Sequence, residues 1–148
     1  MDLRELYQEV ILDHNRRPRN KGRLEVSNRH AEGHNPLCGD TVALTLITED
    51  GRVKDIQFDG EGCAISTASA SMMTEAVKGK TIDQAHELFK SFQKMVTTQE
   101  DTTEAEMLGE EIQALAGVRE HPVRIKCATL AWHALEAALA GEEKVSTE

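Results

Sequence analysis

Aromatic residues are scarce in this sequence, because Phe, Trp and Tyr together make up only 3% of its 148 residues. The core therefore has to be built mainly from aliphatic side chains and methionine. Long apolar runs are also absent, which excludes a membrane-spanning helix, and the first residues lack the basic and apolar pattern of a secretory leader. We therefore expect a cytoplasmic protein with no membrane partner.

Basic residues are fewer than acidic ones: the sequence has 17 Lys and Arg and 26 Asp and Glu, which gives a formal net charge of −9. A surface of this sign is repelled by phosphate backbones, so nucleic acid is not expected as a partner. The length fits one domain, and no internal repeat or linker divides the chain. We predict a single domain over residues 1–148, with a polar tail at 142–148.

A β-hairpin is the best-defined element of the sequence. Apolar and polar residues alternate on both sides of Asp50-Gly51, a dipeptide typical of type I′ turns. Val53 is out of phase with Ile56, so the second strand is expected to begin late or to carry a bulge. Three elements are predicted before the hairpin: a helix ending near residue 14, a short strand over 24–26 and a loop over 31–39.

Helical patterns dominate the second half of the chain. Four helices are predicted there: one following Cys63 and ending at Gly79, one opened by a capping box at 81–84, an acidic one over 103–117, and a last one from about Cys127 to Gly141. Strands first and helices afterwards predict an α+β fold. In this fold a small antiparallel sheet of about three strands is covered on one face by about five helices.

Three cysteines in a chain without a leader do not indicate a disulfide framework. Cys38, Cys63 and Cys127 each lie at the predicted edge of an element, where backbone donors and helix dipoles favour a thiolate. Asp40 lies two residues after Cys38, so a turn can aim both side chains at one centre. Three thiolates and a carboxylate suit tetrahedral Zn²⁺. The cysteine separations of 25 and 64 residues match no local zinc signature, so spacing alone leaves a metal site and three buried thiols equally open.

Sequence motifs around the three cysteines carry a resemblance to a known family. They are Leu-Cys-Gly-Asp at 37–40, Gly-Glu-Gly-Cys-Ala-Ile-Ser-Thr-Ala-Ser at 60–69 and Val-Arg-Ile-Lys-Cys-Ala-Thr-Leu-Ala-Trp at 123–132. In this order they resemble the IscU/SufU/NifU family of iron–sulfur cluster assembly. Two features are similar to the SufU branch: Lys126 stands where IscU-type scaffolds carry a histidine, and the segment between the second and third cysteines is long.

The resemblance implies both a metal site and an activity. The implied zinc ligands are Cys38, Asp40, Cys63 and Cys127, and the implied activity is taking persulfide sulfur from a SufS-like cysteine desulfurase that uses pyridoxal phosphate. A downstream cluster scaffold is also expected as a partner. Cys38 is the candidate acceptor because it lies on a loop that can move, whereas the other two cysteines adjoin helices.

Two other functions stay open from the sequence. The first is a scaffold that assembles and transfers a [2Fe–2S] cluster on the same four residues, and the second is a noncatalytic module in which zinc ties loops together. Arg124 is a candidate partner contact, and the basic loop 16–23 and the ligand loops are candidate docking surfaces.

Overall fold

A small β-sheet with helices packed on one face forms the centre of the computed structural model, which describes residues 3–98, 103–142 and 144–146. The strands are β1 (Arg29–Asn35), β2 (Asp40–Glu49), β3 (Arg52–Asp59) and β4 (Lys144–Ser146). The helices are α1 (Leu3–Arg16), α2 (Ala64–Val77), α3 (Ile82–Thr97), the single turn α4 (Glu110–Gln113) and α5 (Pro122–Leu139). Two 3₁₀ helices, Thr103–Leu108 and Ala114–Glu120, flank α4.

The sheet has the strand order β3-β2-β1-β4, and its first three strands are antiparallel as predicted. The predicted hairpin is confirmed, because Asp50 and Gly51 have φ values of 54° and 74° and type I′ turns need positive φ at both positions. The register shifts between Ile47 and Thr48, and this bulge lets Val53 reach the core. The short strand β4 lies within the predicted polar tail and pairs parallel with β1.

Two predictions about the segment before the hairpin are wrong. Residues 31–39 contain most of β1 instead of forming only a loop. The inward side of this strand is lined with small residues because α5 packs closely on it: a Cβ at Gly33 would stand 3.0 Å from the side chain of Leu130. Residues 24–26 form no strand, and the N–H of Leu24 donates to Thr45 Oγ1, a side-chain atom, at 3.0 Å.

Two helix predictions also need correction. The acidic segment was expected to form one helix over 103–117, but Gly109 adopts a φ of 84° and divides it into short 3₁₀ and α turns. The last helix was expected to begin near Cys127, but it begins at Pro122, which has no N–H and therefore suits the first helical turn. Cys127 consequently lies in the second turn of α5. The capping box that opens α3 is confirmed at Thr81 and Gln84.

The core between the sheet and the helices is centred on Trp132 of α5. Its ring stacks on Phe92 of α3, with centroids 4.4 Å apart and planes 12° from parallel. Its Nε1 donates to Ser69 Oγ at 3.1 Å, and that hydroxyl donates to the carbonyl of Ala128. This packing fixes α2, α3 and α5 against one another. In the described part of the chain, no helix is both long and apolar enough to cross a bilayer.

Candidate metal and sulfur site

Cys38 lies in the four-residue turn 36–39 that joins β1 to β2. Asn35 and Asp40 are the last paired residues before the turn, and Gly39 supplies a positive φ of 71°. Cys38 is exposed, whereas Asp40, the first residue of β2, is only 1% exposed. The turn therefore presents a thiol to solvent beside a buried carboxyl group.

Cys63 is the N-cap residue of α2, and Asp40 connects it to the sheet. The N–H of Cys63 donates to Asp40 Oδ1 at 2.9 Å, and the Cys63 Sγ lies 3.9 Å from Asp40 Oδ2. The same sulfur accepts from the N–H of Ser66 at 3.4 Å. The carboxyl group of Asp40 thus fixes the start of α2 next to the start of β2.

The close approach of residues 60–63 to β2 requires the glycine at position 60. Gly60 has a φ of 127°, and a Cβ there would overlap the carbonyl oxygen of Thr41. The N–H of Thr41 donates to the carbonyl of Glu61 at 2.7 Å. Glycine is therefore needed to bring Cys63 within reach of Asp40.

Cys127 approaches the same place from α5, where it is 3% exposed. Its Sγ lies 3.3 Å from the Cys38 Sγ and 3.7 Å from Asn35 Nδ2, which donates to it. Burial raises the pKa of the Cys127 thiol, and hydrogen bonding with Cys38 and Asp40 raises it further. The site therefore contains two exposed thiols and one buried thiol.

Asn35 is a residue of this site that sequence reasoning missed. It is fully buried, and besides donating to Cys127 it accepts from the N–H of Leu37 through Oδ1 at 3.3 Å. Its side chain therefore connects the turn that carries Cys38 to the buried sulfur on α5. The sequence signal was its place at the start of an Asn-Pro-Leu-Cys segment, which was assigned to a loop.

The four predicted ligands meet at one end of the sheet. The Sγ atoms of Cys38 and Cys127 and a carboxyl oxygen of Asp40 lie within 4.8 Å of one another. Cys63 is outside that set of three, but its Sγ is 3.9 Å from Asp40. Around a tetrahedral zinc ion, neighbouring sulfur and oxygen ligands are about 3.5–3.8 Å apart. The observed spacings of 3.3 and 3.9 Å lie just below and just above that range. The donor set therefore fits Zn²⁺, and small shifts of the side chains bring its spacings to the required values.

A second polar cluster lies away from the thiols, around His14. The His14 ring is fully buried, with Nδ1 2.7 Å from Ser71 Oγ and Nε2 2.7 Å from Glu111 Oε2. Asp13 is close to this group but forms an ion pair with Arg19 at 2.7 Å. Sequence spacing gives no signal for this cluster, because the partners of His14 are 57 and 97 residues away along the chain. The cluster joins α1 and α2 to α4.

This protein is a small α+β domain in which three cysteines and an aspartate lie together at one end of the sheet. These two features define its class. The chain belongs to the family of NifU-like N-terminal domains, whose profile matches residues 6–146. The family predicted from the sequence motifs is therefore confirmed.

Individual relatives lie in the SufU and IscU groups of this family. The zinc-dependent sulfurtransferase SufU of Bacillus subtilis is 49% identical over 138 residues, which cover 93% of this chain and 92% of the relative. The iron–sulfur cluster assembly scaffold protein IscU of Streptococcus pyogenes is 46% identical, over 93% of this chain and 84% of the relative. The solved structure of FiSufU from Fervidobacterium islandicum has a TM-score of 0.82 at 36% identity and covers 91% of this chain and 97% of its own. This likeness confirms the predicted fold class.

Proposed function

We propose that this chain accepts persulfide sulfur from a cysteine desulfurase for iron–sulfur cluster assembly in the cytoplasm. In this proposal Cys38, Asp40, Cys63 and Cys127 hold a zinc ion, and Cys38 is the acceptor thiol. The observation that carries the proposal is the unequal exposure of thiols that lie in contact: Cys38 is exposed on a short turn, while Cys127, 3.3 Å away, is buried in a helix.

Sulfur transfer to Cys38 needs no external oxidant or reductant. The Cys38 thiolate attacks the terminal sulfur of the persulfide on the desulfurase, a new S–S bond forms on Cys38, and the donor's S–S bond breaks. The bonding pair leaves as the thiolate of the donor cysteine. Zinc bound at the site would keep its thiol ligands deprotonated at neutral pH while lowering their reactivity toward other electrophiles.

Cys127 and Asp40 have a different task from Cys38. Both are buried and hydrogen-bonded, so they hold the geometry of the site while Cys38 reacts. From Cys38 the persulfide sulfur would pass to a downstream cluster scaffold. This division of roles follows from burial, because a donor protein can reach Cys38 without opening the fold.

Two apolar side chains that lie close to the thiols along the chain are exposed, and they favour protein docking there. Leu37, next to Cys38, is 61% exposed, and Val123, one turn before Cys127, is 49% exposed. Exposed apolar residues that lie together mark interaction sites more often than isolated ones do. The surface around the acceptor thiol therefore suits a partner protein.

Assembly of a [2Fe–2S] cluster on the same four side chains is the second candidate. It is supported by the Streptococcus pyogenes relative, which is named as a scaffold and is 46% identical to this chain. The absence of a histidine before Cys127, where Lys126 stands, weighs against it. Anaerobic reconstitution with iron and sulfide, followed by absorption spectroscopy, separates the two candidates.

The experiment that tests the proposal measures alanine production by a purified desulfurase. We expect zinc-loaded protein to stimulate alanine production strongly. A Cys38→Ala variant should abolish the stimulation, since it removes the acceptor sulfur.

The zinc content of each sample is measured in parallel, to separate loss of the thiol from loss of the metal. Stimulation by Cys38→Ala equal to that by the unmodified chain would remove Cys38 as the acceptor. No stimulation by the unmodified chain, combined with a stable reconstituted cluster, would favour the scaffold.

A further inference from the structure

A second concave surface lies beside the thiol site and has no role in the account above. It is a cleft of about 760 Å³ between the start of α1, the second 3₁₀ helix and the start of α5. Its volume is in the range of pockets that hold a ligand of many atoms. The lining side chains that carry charge or a free hydroxyl are Arg4, Tyr7, Arg119, Glu120, His121 and Arg124.

The cleft is basic, although the chain as a whole carries a net charge of −9. Among the lining residues that the structure describes, three are arginines and one, Glu120, is a carboxylate. Two of the arginines, Arg4 and Arg124, are exposed, so their guanidinium groups are accessible to a ligand. A local excess of positive charge on an acidic protein selects anionic groups.

The hydroxyl of Tyr7 adds a hydrogen-bond donor to this basic surface. The oxygen is buried, and burial raises the pKa of Tyr7 even though the nearby Arg124 acts to lower it. Arginine can only donate hydrogen bonds, so it leaves the Tyr7 O–H without an acceptor. No acceptor for this O–H occurs among the residues that the structure describes. A buried donor beside guanidinium groups is best satisfied by an oxyanion.

The cleft and the thiol site are near one another. Arg124 precedes Cys127 by three residues on α5, so the two side chains lie on the same face of that helix. On the α1 side, Cys63 contributes to raising the pKa of Tyr7, after burial as the main cause, so these two groups are also near one another. A protein that covers the thiols will therefore also cover the cleft, and a polypeptide segment uses the volume of the cleft better than a single small anion does.

We propose that the cleft formed by Arg4, Tyr7 and Arg124 docks an acidic segment of the protein that donates sulfur to Cys38. Carboxylates of that segment accept from the two guanidinium groups and from the Tyr7 O–H. This inference rests on the proposed function, since it names the desulfurase as the partner. It assigns binding, and not chemistry, to the cleft.

The test uses the zinc-loaded chain, a purified desulfurase and two variants of the cleft. Arg4→Glu/Arg124→Glu reverses the charge of the cleft, and Tyr7→Phe removes only the hydroxyl. The matched control is Arg52→Glu/Lys54→Glu, which makes the same change of charge on exposed residues at the hairpin end of the sheet, away from the thiols. Direct binding titrations and alanine production at varied protein concentration are both measured.

We expect both cleft variants to raise the dissociation constant and the half-saturating concentration about tenfold or more, with maximal stimulation unchanged. The control should stay within about twofold of the unmodified chain. The affinity of the unmodified chain should fall with added salt, and that of the charge-reversed variant should fall less. Thermal unfolding of Tyr7→Phe should match the unmodified chain, because the lost hydroxyl donates to no described residue.

Equal effects of the cleft variants and the control would overturn the inference, and so would cleft variants that bind normally. If the unmodified chain binds the desulfurase without stimulating it, the proposed function fails. The docking inference is then still decided by the dissociation constants of the cleft variants and the control. If the unmodified chain does not bind the desulfurase at all, both fail.

Discussion

Removal of the buried amide of Asn35 gives a sharp test of how the site is held together. Asn35→Ala deletes the bond from Nδ2 to the Cys127 sulfur, 3.7 Å long, and the bond from the N–H of Leu37 to Oδ1, 3.3 Å long. With zinc bound, Cys127 would be a thiolate, and a hydrogen bond to a charged group is worth about 1.5–3 kcal/mol. Asn35→Ala should therefore lower zinc affinity by about 10–100-fold, as is usual when a residue that hydrogen-bonds a metal ligand is lost. These two figures agree, since about 1.4 kcal/mol corresponds to a factor of ten.

Zinc affinity of Asn35→Ala is measured by competition with a chromophoric chelator. The matched control is Asn28→Ala, which removes three side-chain bonds to Thr48: one to its carbonyl at 2.7 Å, one from its N–H at 2.8 Å and one from its hydroxyl at 3.3 Å. Because Asn28 precedes β1 at the opposite end from the thiols, its loss should lower stability without changing zinc affinity. Unchanged zinc affinity in Asn35→Ala, or an equal loss in the control, would show that Asn35 does not support the metal site.

Three further predictions concern thiol chemistry and packing. In metal-free protein a thiol reagent should modify Cys38 quickly and Cys127 slowly, since Cys127 is buried and its raised pKa leaves less thiolate at any pH. Peptide mass mapping over time measures the two rates, and equal rates would contradict this prediction. For the same reason zinc affinity should rise with pH between about 6.5 and 8.5, because zinc binding has to displace the Cys127 proton. A zinc affinity that stays constant over this pH range in chelator competition would contradict the prediction. In the fold, Gly60→Ala should lower the free energy of unfolding by about 2 kcal/mol or more, because the added Cβ overlaps the backbone of Thr41. Phe92→Ala should lower it by about 3–5 kcal/mol by opening a core cavity, and Phe89→Ala should lower it less, because Phe89 is only partly buried. Equal losses for the two phenylalanine variants in urea unfolding would contradict the packing described.

Elements fixed by neighbouring residues were predictable from the sequence. Asp50-Gly51 defined the hairpin turn, and the phase break at Val53 located the bulge, because both depend on residues a few positions apart. The capping box at Thr81 did the same for the start of α3. In these cases local chemistry and the final structure agree.

Elements fixed by distant partners were not predictable. The strand β1 has the polar sequence of a loop, and it forms because its small inward residues, such as Gly33, accept α5 against them. In the other direction, the pattern around 103–117 favours one helix, but Gly109 breaks it. The early start of α5 has a local signal in Pro122, because proline suits the first turn of a helix.

The candidate site was reached through sequence motifs and not through spacing. Nothing in the separations of Cys38, Cys63 and Cys127 required them to meet, and their convergence follows from the order of the strands and the placement of α5. The burial that distinguishes Cys38 from Cys127 is likewise a product of the fold. The division of roles between these thiols therefore comes from the structure.

The most direct test of the account is the position of the transferred sulfur atom. Zinc-loaded protein is incubated with a cysteine desulfurase and cysteine, persulfides are trapped by alkylation, and each cysteine peptide is weighed by mass spectrometry. We expect one added sulfur atom on Cys38 and none on Cys63 or Cys127. Added sulfur on Cys63 or Cys127, or on none of the three, would contradict the assignment of Cys38 as the acceptor.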